Sequence, residues 1–326
     1  MRLVRKSMIL LAVALVFGAI RMPFESALRG ELEKSGLIPR ELEVGTKQKL
    51  GQTFAAVSLG GLRTLVATFY NLRAFSEFTE QRWGDVARTF DLIVTLAPHT
   101  RYYWETGYWH QAYNAASYYI NEEKLPAERR REAWRESIHA GRDFLERGIR
   151  NNPDDWSLWA NKGFLLSDPN KFPAFRDQAK SFEEAAEAYR KAEATGRALP
   201  YVKRFSLYAL ARVPGREDEA LEIARRFYNE SERNHTPTLL SLLFVLEAHA
   251  DASQDMEELA VRLFGTKEKA FEQLGTHWQR TRDRFPVYGV AEALQRLGKD
   301  LDIPAGENPL NQPLPPPPGP DQWFSQ

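Results

Sequence analysis

A nearly all-α fold built from stacked helical hairpins is what the sequence predicts, and three spacings carry the prediction. Tyr70 and Trp104 lie 34 residues apart, and Trp104 and Trp159 lie 55 apart. Pro98 and Pro153 are also 55 apart. A helical repeat of about 34 residues with one insertion of about 21 accounts for all of them. Helix formers dominate the body and Val/Ile/Thr alternation is scarce, which argues against strands.

Length and charge bound the function classes. The 326 residues carry 44 Lys+Arg against 44 Asp+Glu, a balance that gives no reason to expect nucleic-acid binding, which wants a basic face. The chain has no cysteine, which excludes disulfides, thiolate nucleophiles and Cys-ligated zinc. A hydrophobic fraction of 43% is enough for a sizeable core.

From the N-terminus, residues 1–24 read as a membrane segment. Arg2, Arg5 and Lys6 precede an uncharged apolar run from Met8 to Ile20, which Arg21 ends. The arrangement is that of a secretory signal or a short anchor. Flanking Leu3, Val4, Met22 and Phe24 extend the run toward a bilayer's thickness. The best cleavage site ends at Ala19 with bulky Phe17 two places earlier, a poor match, so an uncleaved signal-anchor with a cytoplasmic N-terminus is expected. The body is then placed outside the cytoplasm, in a bacterial periplasm. Residues 25–51, punctuated by Gly30, Gly36, Pro39 and Gly45, read as a tether.

The repeat body is expected over residues 52–298. Its first unit pairs Tyr70 and Ala74 on one helix with Phe90, Ile93 and Leu96 on the next, closed by Pro98. The second carries Trp104 and Gly107, takes the insertion over Ser117 to Ser137, and ends with Leu145, Gly148 and Pro153. The third sets Trp159 and Gly163 before Phe182, Ala185, Tyr189 and Ala192, with a loop lengthened around Pro169 and Pro173. A fourth runs from Tyr201 to Ser231 through a Pro214-Gly215 turn. Helical periodicity continues over 239–250, 256–264 and 267–285, and a helix over 287–297, closed by Gly298, reads as a terminal cap. Residues 299–326 form a Pro-rich tail, with Pro315–Pro318 favouring polyproline II and Trp323 and Phe324 as unusual equipment for a solvating end.

The Tyr70, Trp104 and Trp159 marks, with Gly163, Ala185, Tyr189, Ala192, Pro98 and Pro153, resemble the tetratricopeptide repeat (TPR) family over residues 67–232. Val86 stands where that family usually has alanine, and Gly107 comes one residue early. The anchor with Gly60-Gly61-Leu62-Arg63 and Leu96-Ala97-Pro98-His99 also resembles uncharacterised anchored repeat proteins of bacterial envelopes. The TPR resemblance implies a groove lined by the first helix of each unit: Asn71, Phe75 and Phe78, then Tyr102, Glu105, Trp109 and Tyr113, then Ala160, Phe164 and Ser167. An aromatic floor of this kind suits an extended peptide or a partner helix. The alternative is that inserted helices cover these rings as core. Lys162 and Asn161 alone do not make the carboxylate clamp found in some members of the family.

No phosphate-loop, dinucleotide or nucleophile-elbow motif is present, and none of the six histidines pairs at metal-ligand spacing. No catalytic residue, cofactor or metal site is expected. Glu183-Glu184, Glu257-Glu258 and Arg129-Arg130-Arg131 read as solvated helix faces. The resulting expectation is a non-enzymatic, membrane-tethered scaffold that binds another envelope protein or peptide. The rival is a ligand- or glycan-binding α domain, or an enzyme, using the aromatic segment 102–113.

Overall fold

The computed structural model of the chain describes residues 63–313, and every regular element among them is helical. The apolar N-terminal run, the tether, Gly60-Gly61 and the tail from residue 314 lie outside the described residues. The chain divides into two compact units, one ending at Leu165 and the other beginning at Leu166. Within the described residues no helix is long and apolar enough to cross a membrane.

The first unit holds α1 (Arg63–Thr79), α2 (Trp83–Leu96), α3 (Arg101–Trp109), a π-helical turn (His110–Ala115), α4 (Ala116–Asn121), α5 (Ala127–Asn151) and the start of α6 (Trp156–Ser167). Each packs chiefly on its neighbours in sequence: α1 on α2, α2 on α3, and the α3–π–α4 rod along α5. This is a solenoid-like arrangement of helical hairpins. Val86, Phe90, Ile93, Val94 and Leu96 turn one stripe of α2 inward. Beneath them Glu77 is only 1% exposed, and its carboxylate accepts from Arg73 Nε at 2.7 Å and Thr89 Oγ1 at 2.7 Å. A buried carboxylate requires such partners.

The seam between α3 and α5 explains the glycines. A Cβ at Gly107 would lie 2.6 Å from the Phe144 ring, and one at Gly148 would lie 2.9 Å from Trp104 Cγ. Gly141 sits equally close to Ala112. Large residues on each helix therefore enter gaps left by small ones on the other, at three- and four-residue spacing. The Trp104 and Phe144 rings meet at 5.0 Å.

The expected insertion takes an unexpected form. Residues 117–137 build no separate element over the rings. They lengthen both helices of the second hairpin, so that α3, the π turn and α4 run continuously from 101 to 121 and α5 reaches 25 residues. The π turn accommodates an extra residue within a helix without breaking it.

The second unit contains α7 (Gln178–Ala194), α8 (Pro200–Leu210), α9 (Glu217–Glu230), α10 (Pro237–Ala250), α11 (Met256–Phe264), α12 (Lys267–Thr281) and α13 (Val290–Asp300). Its helix starts are written locally. Asp177, Thr236, Asp255 and Thr266 accept from backbone N–H groups of the first turn, and Pro200 and Pro237 open their helices. α10 is buried almost all round, from Leu239 to Leu246, as a central helix must be. Gly215, in the turn before α9, has φ +82°, which only glycine adopts without strain.

Two boundaries differ from the sequence reading. Gly298 lies inside α13, where it admits Asn308 and Phe271, and α13 ends at Asp300. The packed body also continues past 298. Asn308 Nδ2 donates to the Leu294 carbonyl, Pro309 fits against Gly275, and Leu310 packs on the core of α10–α13. The prolines at 304 and 309 form short turns held by that core.

Candidate functional site

The six-residue step from proline to tryptophan is a physical device used twice. Trp104 Nε1 donates to the Pro98 carbonyl at 2.7 Å, and Trp159 Nε1 donates to the Pro153 carbonyl at 2.7 Å. Each bond pins the start of a helix, α3 or α6, to the turn before it. The same turn orientation is thus imposed on both helices.

That common orientation sets the face on which the groove residues were expected. Trp109, the last residue of α3, and Tyr113, in the π turn, stack with ring centroids 4.1 Å apart and planes 12° from parallel. Tyr113 in turn stacks on Phe164 of α6 at 6.2 Å and 21°. Tyr108 closes edge-on against Tyr113 at 6.2 Å. Trp109 is 44% exposed and Phe164 45%, so the outer rings of this Trp109–Tyr113–Phe164 ladder face solvent. Offset stacks of this kind hold their rings flat at little rotamer cost. The alternative of covered rings does not hold for them, because the insertion extends helices instead of capping the face.

The remaining expected residues separate from the ladder. Glu105 is occupied by structure: its Oε1 accepts from Ser157 Oγ at 2.5 Å and Asn161 Nδ2 at 3.3 Å, tying α3 to α6. Asn161 Oδ1 also accepts from Tyr108 at 3.2 Å. Tyr102 is 55% exposed and lies edge-on to Tyr103. Asn71 and Ala160 are half-buried. Ser167 belongs to the second unit and meets the Tyr189 hydroxyl at 3.3 Å.

Phe75 and Phe78 border a different feature, a cavity of about 680 Å³ with Trp83, Asn114, Tyr118 and Glu122. Phe75 is 70% exposed at its rim. Phe78 packs against Trp83 at 5.5 Å and His110 at 4.8 Å. The Tyr118 hydroxyl donates to Glu122 at 2.7 Å, which lowers the acidity of the phenol and holds the carboxyl below its usual range. A second cavity of about 350 Å³ lies on the other side of Trp83, toward α5. Trp83 and Tyr118 escaped the sequence reading because they meet, with ring centroids 5.9 Å apart, only where α4 lies beside the start of α2. The rings of Tyr102, Trp109 and Tyr113 line neither cavity.

Two titratable groups in this unit are shifted by their packing. Burial pushes the His110 imidazole below its ordinary value, and its Nδ1 accepts from Asn114 Nδ2 at 2.9 Å. Burial alone would raise the Glu146 carboxyl, but Lys162 at 2.7 Å and Arg142 at 3.2 Å outweigh it and hold the group low. Lys162 is thereby engaged with α5. Among the described residues no group of three His, Asp or Glu side chains is placed to hold a metal.

No protein-family model matches this chain, and no curated protein or solved structure matches it significantly.

Proposed function

We propose that the chain is a membrane-tethered, TPR-like scaffold whose first unit binds an extended segment of another envelope protein along the Trp109–Tyr113–Phe164 ladder. One observation carries the reading: the rings continue from one helical hairpin to the next and remain open to solvent. Stacked aromatic area with few rotatable bonds is what peptide-binding surfaces use for affinity. The repeated tryptophan-to-proline bonds at α3 and α6 support the repeat reading. The tether reading rests on the charged flank and apolar run of residues 1–24, and it places the body on the non-cytoplasmic side.

The ligand-binding rival is favoured by the cavity at Phe78 and Trp83, where rings meet the amide of Asn114 and the carboxylate of Glu122. The rings of segment 102–113 do not line that cavity. Crosslinking in native membranes separates the two. Loss of a protein partner with Trp109→Ala and Tyr113→Ala, but not with Trp83→Phe, supports the ladder. The reverse pattern supports the cavity.

A further inference from the structure

Arg212 stands out in the second unit. Its guanidinium lies 3.8 Å above the centroid of the Phe285 ring and 4.8 Å from that of Phe182. Its Nη1 donates to the Ser167 carbonyl at 3.3 Å, while its Nε is buried without an acceptor. Among the described residues no carboxylate pairs with it. The charge that acts on it most is another cation, Arg284, whose own bonds go to Asp283 at 3.4 Å and the Arg280 carbonyl at 2.6 Å. Burial, with Arg284 adding to it, pulls the Arg212 guanidinium down to about 10, far below an ordinary arginine. A buried cation without a counter-ion is costly unless an anion reaches it.

The chain itself carries a candidate. The described residues end at Pro313. Just before, the Gln312 carbonyl accepts from Arg282 Nη2 at 3.4 Å, and the Gln312 side chain bonds Gln279 of α12. The body is therefore left beside Arg282, three residues from Phe285. Residues 314–326 contain one acidic side chain, Asp321, no basic residue, and two rings, Trp323 and Phe324, one residue beyond it. Eight residue steps separate Pro313 from Asp321, which at about 3.1 Å per step of polyproline II would reach about 25 Å. Tethering also gives such a segment a high effective concentration at any site within that reach.

We propose that Arg212 is a carboxylate-binding site filled by Asp321 of the same chain, with Trp323 and Phe324 laid against the Phe285 ring. The guanidinium supplies a planar fork that a carboxylate meets with two parallel bonds, and the flanking rings supply the apolar surface for the two aromatics. The inference is independent of the ladder in the first unit.

The test uses the full chain with a photoreactive benzoylphenylalanine at position 324. Irradiation at high dilution is expected to link it within the same chain to peptides spanning residues 205–216 or 278–290. Asp321→Asn and Arg212→Met should each lower that yield by about tenfold, the worth of a charge-assisted bond. Because Asp321→Asn changes only the tail, it keeps the test valid if Arg212→Met unfolds the unit. Links to other regions, links between chains, no link, or a yield indifferent to Asp321→Asn would each overturn the proposal.

Discussion

At the scale of single residues, the glycines of the α3–α5 seam decide how closely the second hairpin can pack. Gly148 faces the Trp104 indole so closely that a methyl group there must displace either ring or helix. Gly148→Ala should therefore destabilise the first unit by about 1–3 kcal/mol, the usual cost of overpacking, read as a lower urea midpoint. Gly84, near the start of α2, is the counter-case. A Cβ there meets only the far end of Arg88 at 3.6 Å. Gly84→Ala should raise stability by up to about 1 kcal/mol through helix propensity, read as a higher urea midpoint. The buried His277 offers a pH readout in the second unit. It holds the Pro286 carbonyl through Nε2 at 3.2 Å, and burial lowers its pKa despite that bond. A depressed imidazole favours the folded state fully above the unfolded value near 6.5, and that contribution is lost as pH falls through the lower folded value. Stability should accordingly decline from pH 7 toward pH 5, with His110 acting in the same direction in the first unit. His277→Gln should flatten the decline in unfolding followed from the second unit; an unchanged slope would exclude His277 as its source.

At the scale of elements, the sequence marks were legible where one helix face had one task. Phe90, Ile93 and Leu96, Leu207 and Leu210, and Ala220, Ala224 and Phe227 are all buried, as their periodicity predicts. The Pro98–Trp104 and Pro153–Trp159 spacings correspond to two copies of one hydrogen bond. What the spacing left open was the fate of 21 extra residues. Length alone does not distinguish a covering loop from longer helices, and Glu122 to Pro126 is all that turns the chain. Gly298 misled for a related reason: glycine marks a helix end or a close approach, and here it admits Asn308. The α5–α6 tie gives the element-scale prediction. Glu146 and Lys162 are both largely screened from solvent. A double-mutant cycle with Glu146→Gln and Lys162→Met should return a coupling of about 1 kcal/mol. A coupling near zero would mean that the 2.7 Å pair contributes only geometry.

At the scale of the whole chain, the site was only partly legible. The face opposite the aromatic/small packing positions identified Trp109, Tyr113 and Phe164, because helical periodicity projects residues 109 and 113 to one side. It also swept in Glu105, whose carboxylate is consumed between α3 and α6, and Phe75 and Phe78, which border a cavity apart from the ladder. Neither outcome could be read from one helix, since both depend on what the adjoining helix presents. Arg212 was likewise invisible, for it lies in the turn after α8 and acquires its rings from α7 and from the segment after α12. The central claim is that the open ring ladder is the partner-binding surface. The most direct measurement is crosslinking from native membranes with the intact chain and with a Trp109→Ala/Phe164→Ala variant whose helicity and urea midpoint match it. The claim predicts that a specific protein crosslink present with the intact chain is lost with the variant. Retention of the same crosslinked partner, with both rings gone and the fold unchanged, would contradict it.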